Sequence, residues 1–217
     1  MGYPYPAPGQ AFVQQGHGTF DPAEVEADWG DRVPVLAYGS NAAPRALAHK
    51  LALSDDPVLV VPAWLHDFDV VYSAHISPYG AVPATLQRSP GTAARVHVTH
   101  MTKEQVVLVS ATEPNYEAVT LEDVDCRPDG GDSVARLSAY FSRHGCLLVE
   151  GDEVALAAVQ ASDRTFAAMS EPEVLEYVRE ACCPGDGIEE FVLANVSDPA
   201  LAEARTATLP RRPGPQP

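Results

Sequence analysis

Val35-Leu36-Ala37-Tyr38-Gly39-Ser40-Asn41 carries a short apolar run into an aromatic residue, and Gly-Ser-Asn then turns the chain toward the helix-like stretch Ala43 to Leu53. A strand that enters a helix through a glycine leaves several backbone N–H groups without partners. With the positive end of the helix dipole, those groups favour a carboxylate or a developing oxyanion. The same residues also fit an ordinary Asn-capped helix start. Pro44 near the first helical position suits either reading, because its missing N–H costs nothing there.

Around this junction, from residue 33 to about 160, the apolar residues fall in short β-branched runs separated by Gly, Pro, Asp and Ser, which is a strand signature. The strands expected are Val33 to Tyr38, Val58 to Ala63, Phe68 to His75, Ala84 to Arg88, Ala94 to Met101, Tyr116 to Val124, Ser133 to Arg143, Cys146 to Val149 and Val154 to Gln160. They are mostly antiparallel, with Glu150-Gly151-Asp152-Glu153 as a hairpin loop. A second helix is expected over Lys103 to about Ala111, opened by the Thr102-x-x-Gln105 capping box, with Val106, Val107, Ser110 and Ala111 on its apolar face. Glu113 then leaves the chain just past the helix end.

Beyond Ser170 the pattern changes. Ser170-Glu171-Pro172-Glu173 reads as a cap, an acidic first turn and an early proline ahead of Val174, Leu175, Tyr177 and Val178. Helices are expected from there to about Ala181, over Asp186 to Asn195, and over Pro199 to Ala207. Residues 1–20, rich in Pro and Gly, read as a flexible N-terminal arm, and 209–217 as a flexible tail. A single domain over 30–208 lies between them, its last part from about 170 a helical appendage packed on the β body.

The chain has 217 residues, enough for one well-buried domain. Its net charge of −16 disfavours nucleic acid and anionic membrane surfaces as partners. It contains neither the apolar run of about 18 residues a spanning helix needs nor a signal-peptide pattern, so a cytoplasmic protein is expected. Cys126, Cys146, Cys182 and Cys183 lack the paired spacing of a structural zinc site and read as free, mostly buried thiols. Glu180 is the nearest charge in sequence to the last pair, which gives no basic neighbour to activate a thiolate.

Three features invite chemistry. Ser40 suggests a nucleophile, but Tyr-Gly-Ser-Asn-Ala does not spell the Gly-x-Ser-x-Gly elbow. His97 and His100 stand at i and i+3 in an expected strand, where they point to opposite faces and do not share a metal. Glu113 follows an apolar helix and precedes Pro114-Asn115-Tyr116, whereas most other acids lie in evident loops. An acid in that setting suits general acid/base work, though an exposed helix-end glutamate would look the same.

The order and spacing of Tyr38-Gly39-Ser40-Asn41, Ala84-Thr85-Leu86, Ser89-Pro90-Gly91, a strand reaching Met101, a short helix and Glu113-x-x-Tyr116 resemble the γ-glutamylcyclotransferase-like superfamily over about residues 33 to 125. The sequence departs from the family pattern at Ala42, where Leu is usual, at Val96 in place of a strand Gly, and at Ser110 in place of an Asp ahead of the Glu.

The resemblance implies an α+β fold: a small mixed, twisted β-barrel with peripheral helices, here with the C-terminal helical appendage. It implies a lyase-type acyl-transfer enzyme that cyclises a γ-glutamyl amine or amino acid to 5-oxoproline and releases the amine. Glu113 would be the catalytic acid/base, and Tyr38, Gly39, Ser40, Asn41 and Tyr116 would hold the glutamyl group. The expected partner is the small-molecule substrate, with no cofactor and no metal. A non-catalytic binding protein on the same scaffold, and a serine hydrolase using Ser40, remain as alternatives.

Overall fold

A computed structural model describes residues 3–214. In chain order the elements are β1 (Phe12–Gln15), β2 (Gly18–Phe20), β3 (Val33–Ala37), α1 (Pro44–Lys50), β4 (Val58–Tyr72), β5 (Ala84–Met101), α2 (Lys103–Ala111), β6 (Tyr116–Leu121), β7 (Cys126–Pro128) and β8 (Leu137–Ser142). They continue with β9 (Cys146–Val149), β10 (Asp152–Leu156), β11 (Ala161–Ser162), β12 (Ala167–Met169), α3 (Glu171–Cys182), α4 (Ile188–Ser197), α5 (Pro199–Thr208) and β13 (Arg211–Arg212).

The pairing path runs β13-β9-β10-β4-β5-β3-β8-β6, and its two end strands do not pair with each other among the described residues. The result is the expected α+β fold, with a mixed sheet curled into a half-barrel and helices outside it; over these residues the sheet does not close. Closure would need complementary ladder edges on the end strands. Here β13 is a two-residue strand, too short to supply one.

The spine is the antiparallel pair β4 and β5, and each member was expected as two strands. The expected breaks fall at Trp64 to Asp67 and at Ser89 to Ala93, the second of which contains Pro90 and Gly91. Instead the ladder continues through a register shift between His66 and Phe68. Asp67 takes a φ of 62° and Gly91 one of 86°, and the Gly91 N–H donates to Asp67 Oδ1 at 2.8 Å. A bulge thus absorbs residues that a local reading assigns to a turn.

The proline- and glycine-rich start of the chain is folded from Tyr3 onward, correcting the flexible arm; residues 1 and 2 lie outside the described residues. β1 and β2 form a hairpin, and β1 pairs with β4 through Phe12 opposite Val60. Phe12 and Val13 are buried, and that burial outweighs the composition. Leu209 is also buried and β13 pairs with β9, so the expected tail is structured through Arg212. Residues 215–217 lie outside the described residues.

α2 opens as expected, with Thr102 Oγ1 accepting from the Gln105 N–H and Gln105 Oε1 from the Thr102 N–H. Its buried face is Gln105 and Val109, while Val107 is exposed, which corrects the expected apolar face. Glu150 and Gly151, with φ of 54° and 100°, form a two-residue turn between β9 and β10, tighter than the four-residue loop expected. The three C-terminal helices lie close to their expected bounds. Val174, Val178, Phe191 and Ala202 belong to the main apolar core, so these helices complete that core and are not an appendage to it.

Among the described residues no helix is long and apolar enough to cross a membrane. The cysteines are free. Cys183 does have a basic neighbour, Arg205, whose Nη2 lies 2.9 Å from its Sγ. The intervening loop and helix hid this contact from the sequence.

Candidate active site

A second apolar cluster sets the geometry of the site. Leu47 of α1 and Val109 of α2 are both fully buried in it, among Phe12, Val35, Val58, Val60, Met101 and Tyr140. Both helices therefore hang from one set of contacts, and the residues at their C-terminal ends meet in space. These are Lys50, the last residue of α1, and Glu113, two residues beyond α2.

Lys50 and Glu113 form an ion pair, Lys50 Nζ to Glu113 Oε1. The same oxygen accepts from Asn41 Nδ2 at 2.9 Å, and Lys50 Nζ donates to Asn41 Oδ1 at 2.7 Å. Asn41 is therefore no helix cap: α1 starts at an Ala43 cap with no side-chain bond, after a tight turn over Ser40–Ala42. Its amide instead ties the turn to the carboxylate. Glu113 Oε2 receives no hydrogen bond among the described residues.

Tyr38, Gly39, Ser40, Asn41, Glu113 and Tyr116 all line one open cavity of about 1740 Å³. In the turn, the Ala42 and Ala43 N–H groups bond back to Gly39 O and Ser40 O, and the three N–H groups before them have no backbone partner among the described residues. Tyr38 donates its hydroxyl to the Tyr140 carbonyl. Tyr116 donates to Ala84 O at 2.9 Å, and Tyr140 and Ser110 share a hydroxyl contact of 2.8 Å. Burial, reinforced by the Glu113 charge, raises the phenols of Tyr38 and Tyr116 above their ordinary range, so both are neutral donors.

The cavity wall also contains residues the sequence did not single out. Tyr3 accepts from the Ala84 N–H at 2.8 Å, and its Oη lies 2.9 Å from where a Cβ on Gly39 would stand. His97 holds the same N-terminal segment through Pro8 O at 3.1 Å. Arg45 and His49 join Lys50 on the α1 side, and Tyr79, its phenol pushed up to about 12 chiefly by burial, lies on the loop before β5. Glu171 and Leu175 of α3 and Val192 of α4 also line it. The sequence offers one faint pointer among these: Lys50 is one of only two lysines in the chain.

Other sequence features go elsewhere. Ser40 lines the cavity, but its hydroxyl makes no hydrogen bond to a histidine among the described residues. His75, the buried histidine of the wall, is committed to Ser73 Oγ at 2.6 Å and stacks on His144. Val96 belongs to the main core and is not in the cavity wall, so its place in the strand changes packing and not the pocket. Ser110 spends its hydroxyl on Tyr140.

No protein-family model matches the sequence, and no curated protein does either. Among solved structures, the chain is similar to a γ-glutamyl cyclotransferase, with 15% identity over 83% of this chain and 89% of that one and a TM-score of 0.41. It is similar to an uncharacterized protein from Homo sapiens at 14% identity over 86% and 93%, with a TM-score of 0.40. A solution structure of an Arabidopsis thaliana protein is similar at 21% identity over 55% and 74%, with a TM-score of 0.41. The chemistry of the site is carried by its own residues.

Proposed function

We propose that the protein cyclises a γ-glutamyl amide to 5-oxoproline and releases the amine, with Glu113 as general acid and base. The observation that carries this reading is the state of the Glu113 carboxylate. One oxygen is fixed by Asn41 and Lys50, and the other is left without a protein partner at a cavity shared with the Tyr38–Asn41 turn. A base oriented through one oxygen and free at the other is what proton transfer to and from a bound substrate requires.

A γ-glutamyl amide carries its α-nitrogen in position to close a five-membered ring on its own γ-carbonyl, so folding the substrate supplies much of the acceleration. Glu113 Oε2 takes one proton from the α-ammonium. The freed amine attacks the γ-carbon, and the carbonyl becomes a tetrahedral oxyanion. Glu113 returns its proton to the departing nitrogen as the amide C–N bond breaks. The second proton lost by the α-nitrogen leaves on the product amine as its ammonium.

The N–H groups of Gly39 to Asn41, without backbone partners among the described residues, suit an α-carboxylate or the developing oxyanion, while the hydroxyls of Tyr38 and Tyr116, already donated to the Tyr140 and Ala84 carbonyls, shape the wall beside them. Arg45, in the same wall, adds positive charge. No step asks for a metal or an organic cofactor.

The test is Glu113→Gln, which keeps size and the bonds at one oxygen while removing the capacity to carry a proton. Native protein should release 5-oxoproline from a γ-glutamyl amine, and the variant should lose at least about a hundredfold in kcat. Equal release by both proteins overturns the mechanism. Calorimetric binding of the substrate by native protein without any release makes it a binding protein instead.

A further inference from the structure

The α3 wall of the cavity holds a carboxyl group with one oxygen outside any hydrogen bond among the described residues. Glu171 is the first residue of α3, and only 9% of its surface is exposed. Its Oε1 accepts from the Val82 N–H at 2.9 Å, while its Oε2 is buried without a hydrogen-bond partner. No cation pairs with it among the described residues. The other acids of that wall are differently placed: Glu173 is bonded to Ser170, Glu176 pairs with Arg179, and Glu189 is exposed. A buried carboxylate oxygen without a donor is costly, and such groups recur where a partner arrives from outside the chain.

The cavity wall therefore carries groups of opposite kind on different elements. α1 contributes Arg45 and Lys50, and α3 contributes Glu171, with Tyr3, Tyr79, Leu175 and Val192 also in the wall. A γ-glutamyl amide bound between them would put its own carboxylate toward the α1 cations and its departing amine toward Glu171. We infer, resting on the reaction proposed above, that Glu171 selects substrates whose departing amine carries a second, cationic group, with Oε2 receiving that ammonium. Burial raises the Glu171 pKa to about 8, so near neutral pH the free protein holds this carboxyl largely protonated. An arriving ammonium displaces that proton and supplies donors and charge together.

Two probes of equal length separate charge from bulk: the mono-γ-glutamyl amide of 1,4-diaminobutane, cationic at its far end, and that of pentylamine, neutral there. Native protein should favour the cationic probe by about tenfold or more in kcat/KM. Glu171→Gln keeps an acceptor for the Val82 N–H and should bring the ratio to about one, chiefly through a higher KM for the cationic probe. A native ratio near one, or a variant that keeps the native ratio, overturns the inference. Calorimetry of both probes on Glu113→Gln protein reads the same preference without turnover. If no probe releases 5-oxoproline, the proposed reaction fails, and the binding preference still decides the role of Glu171.

Discussion

Lys50 and Glu113 stand 63 residues apart in sequence and form an ion pair at the wall of the cavity, with Asn41 bonded to both. The pair fixes one oxygen of the carboxylate and so sets where the other points. An unpaired Glu113 would sample several rotamers, most of them unproductive.

Lys50→Met removes the cation but keeps the aliphatic stem. Kinetics of 5-oxoproline release should show kcat lower by about ten- to a hundredfold, the usual cost of a misplaced reacting group. Far-UV dichroism should match the native protein, because Leu47 and not Lys50 anchors α1. A kcat within twofold of native would remove Lys50 from any positioning role.

Gly39 is held small by Tyr3. A Cβ at Gly39 would lie 2.9 Å from Tyr3 Oη but 3.9 Å from Cζ, so only the hydroxyl is in the way. Gly39→Ala should destabilise the protein by about 1–3 kcal/mol in urea, through overpacking and loss of the Tyr3 bond to Ala84. In a Tyr3→Phe background the same change should cost clearly less. Equal costs in both backgrounds would mean that Tyr3 does not sit against the turn in solution.

Asp69 is fully buried on β4 and is bound by Arg164 through two bonds of 2.8 and 3.0 Å. Arg164→Met leaves that carboxylate without its cation and should cost about 3–5 kcal/mol in a urea titration. A cost under about 1 kcal/mol would show that water or a rearranged side chain replaces the pair.

Two buried groups give stability opposite pH dependences. Burial, with His144 beside it, lowers His75 from 6.5 to about 3, so below pH 6.5 the unfolded chain takes a proton that the folded chain refuses. Its contribution is present above pH 6.5 and is lost as pH falls toward 3. Burial raises Glu171 from 4.5 to about 8, so above pH 4.5 the unfolded chain releases a proton that the folded chain keeps, and stability is lost as pH rises toward 8. Each slope is at most about 1.4 kcal/mol per pH unit. Urea titrations from pH 5 to 8 should show Glu171→Gln gaining on the native protein as pH rises, and His75→Gln gaining as pH falls below 6.5. Differences that stay flat with pH would show that neither group is desolvated as placed.

The parts of this molecule that were legible are those fixed by neighbours in the chain. The Thr102–Gln105 box opens α2 because both partners lie within one turn, and Ser170-Glu171-Pro172-Glu173 starts α3 for the same reason. The placing of Glu113 just beyond α2 followed from those local signals, whereas the turn that bonds the Tyr116 N–H to Glu113 O at 3.0 Å was not read. The β4–β5 bulge was misread because Asp67 and Gly91 carry turn conformations inside a continuous ladder. The N-terminal hairpin was missed because its proline and glycine content argued for disorder, while the apolar partner of Phe12 lies on β4.

The sequence by itself determined a glycine turn after β3 and an acid just past α2, since backbone sterics and capping act over a few residues. Only the tertiary structure decided that the two share a cavity, that Asn41 and Lys50 hold the acid, and that Glu171 lines the same cavity with one oxygen outside any hydrogen bond among the described residues. Those relations depend on α1 and α2 burying Leu47 and Val109 in one cluster, and on α3 packing Val174 and Val178 into the other. Apolar burial is non-directional and indifferent to distance along the chain. Which charged groups end up face to face is therefore settled only when the core has closed.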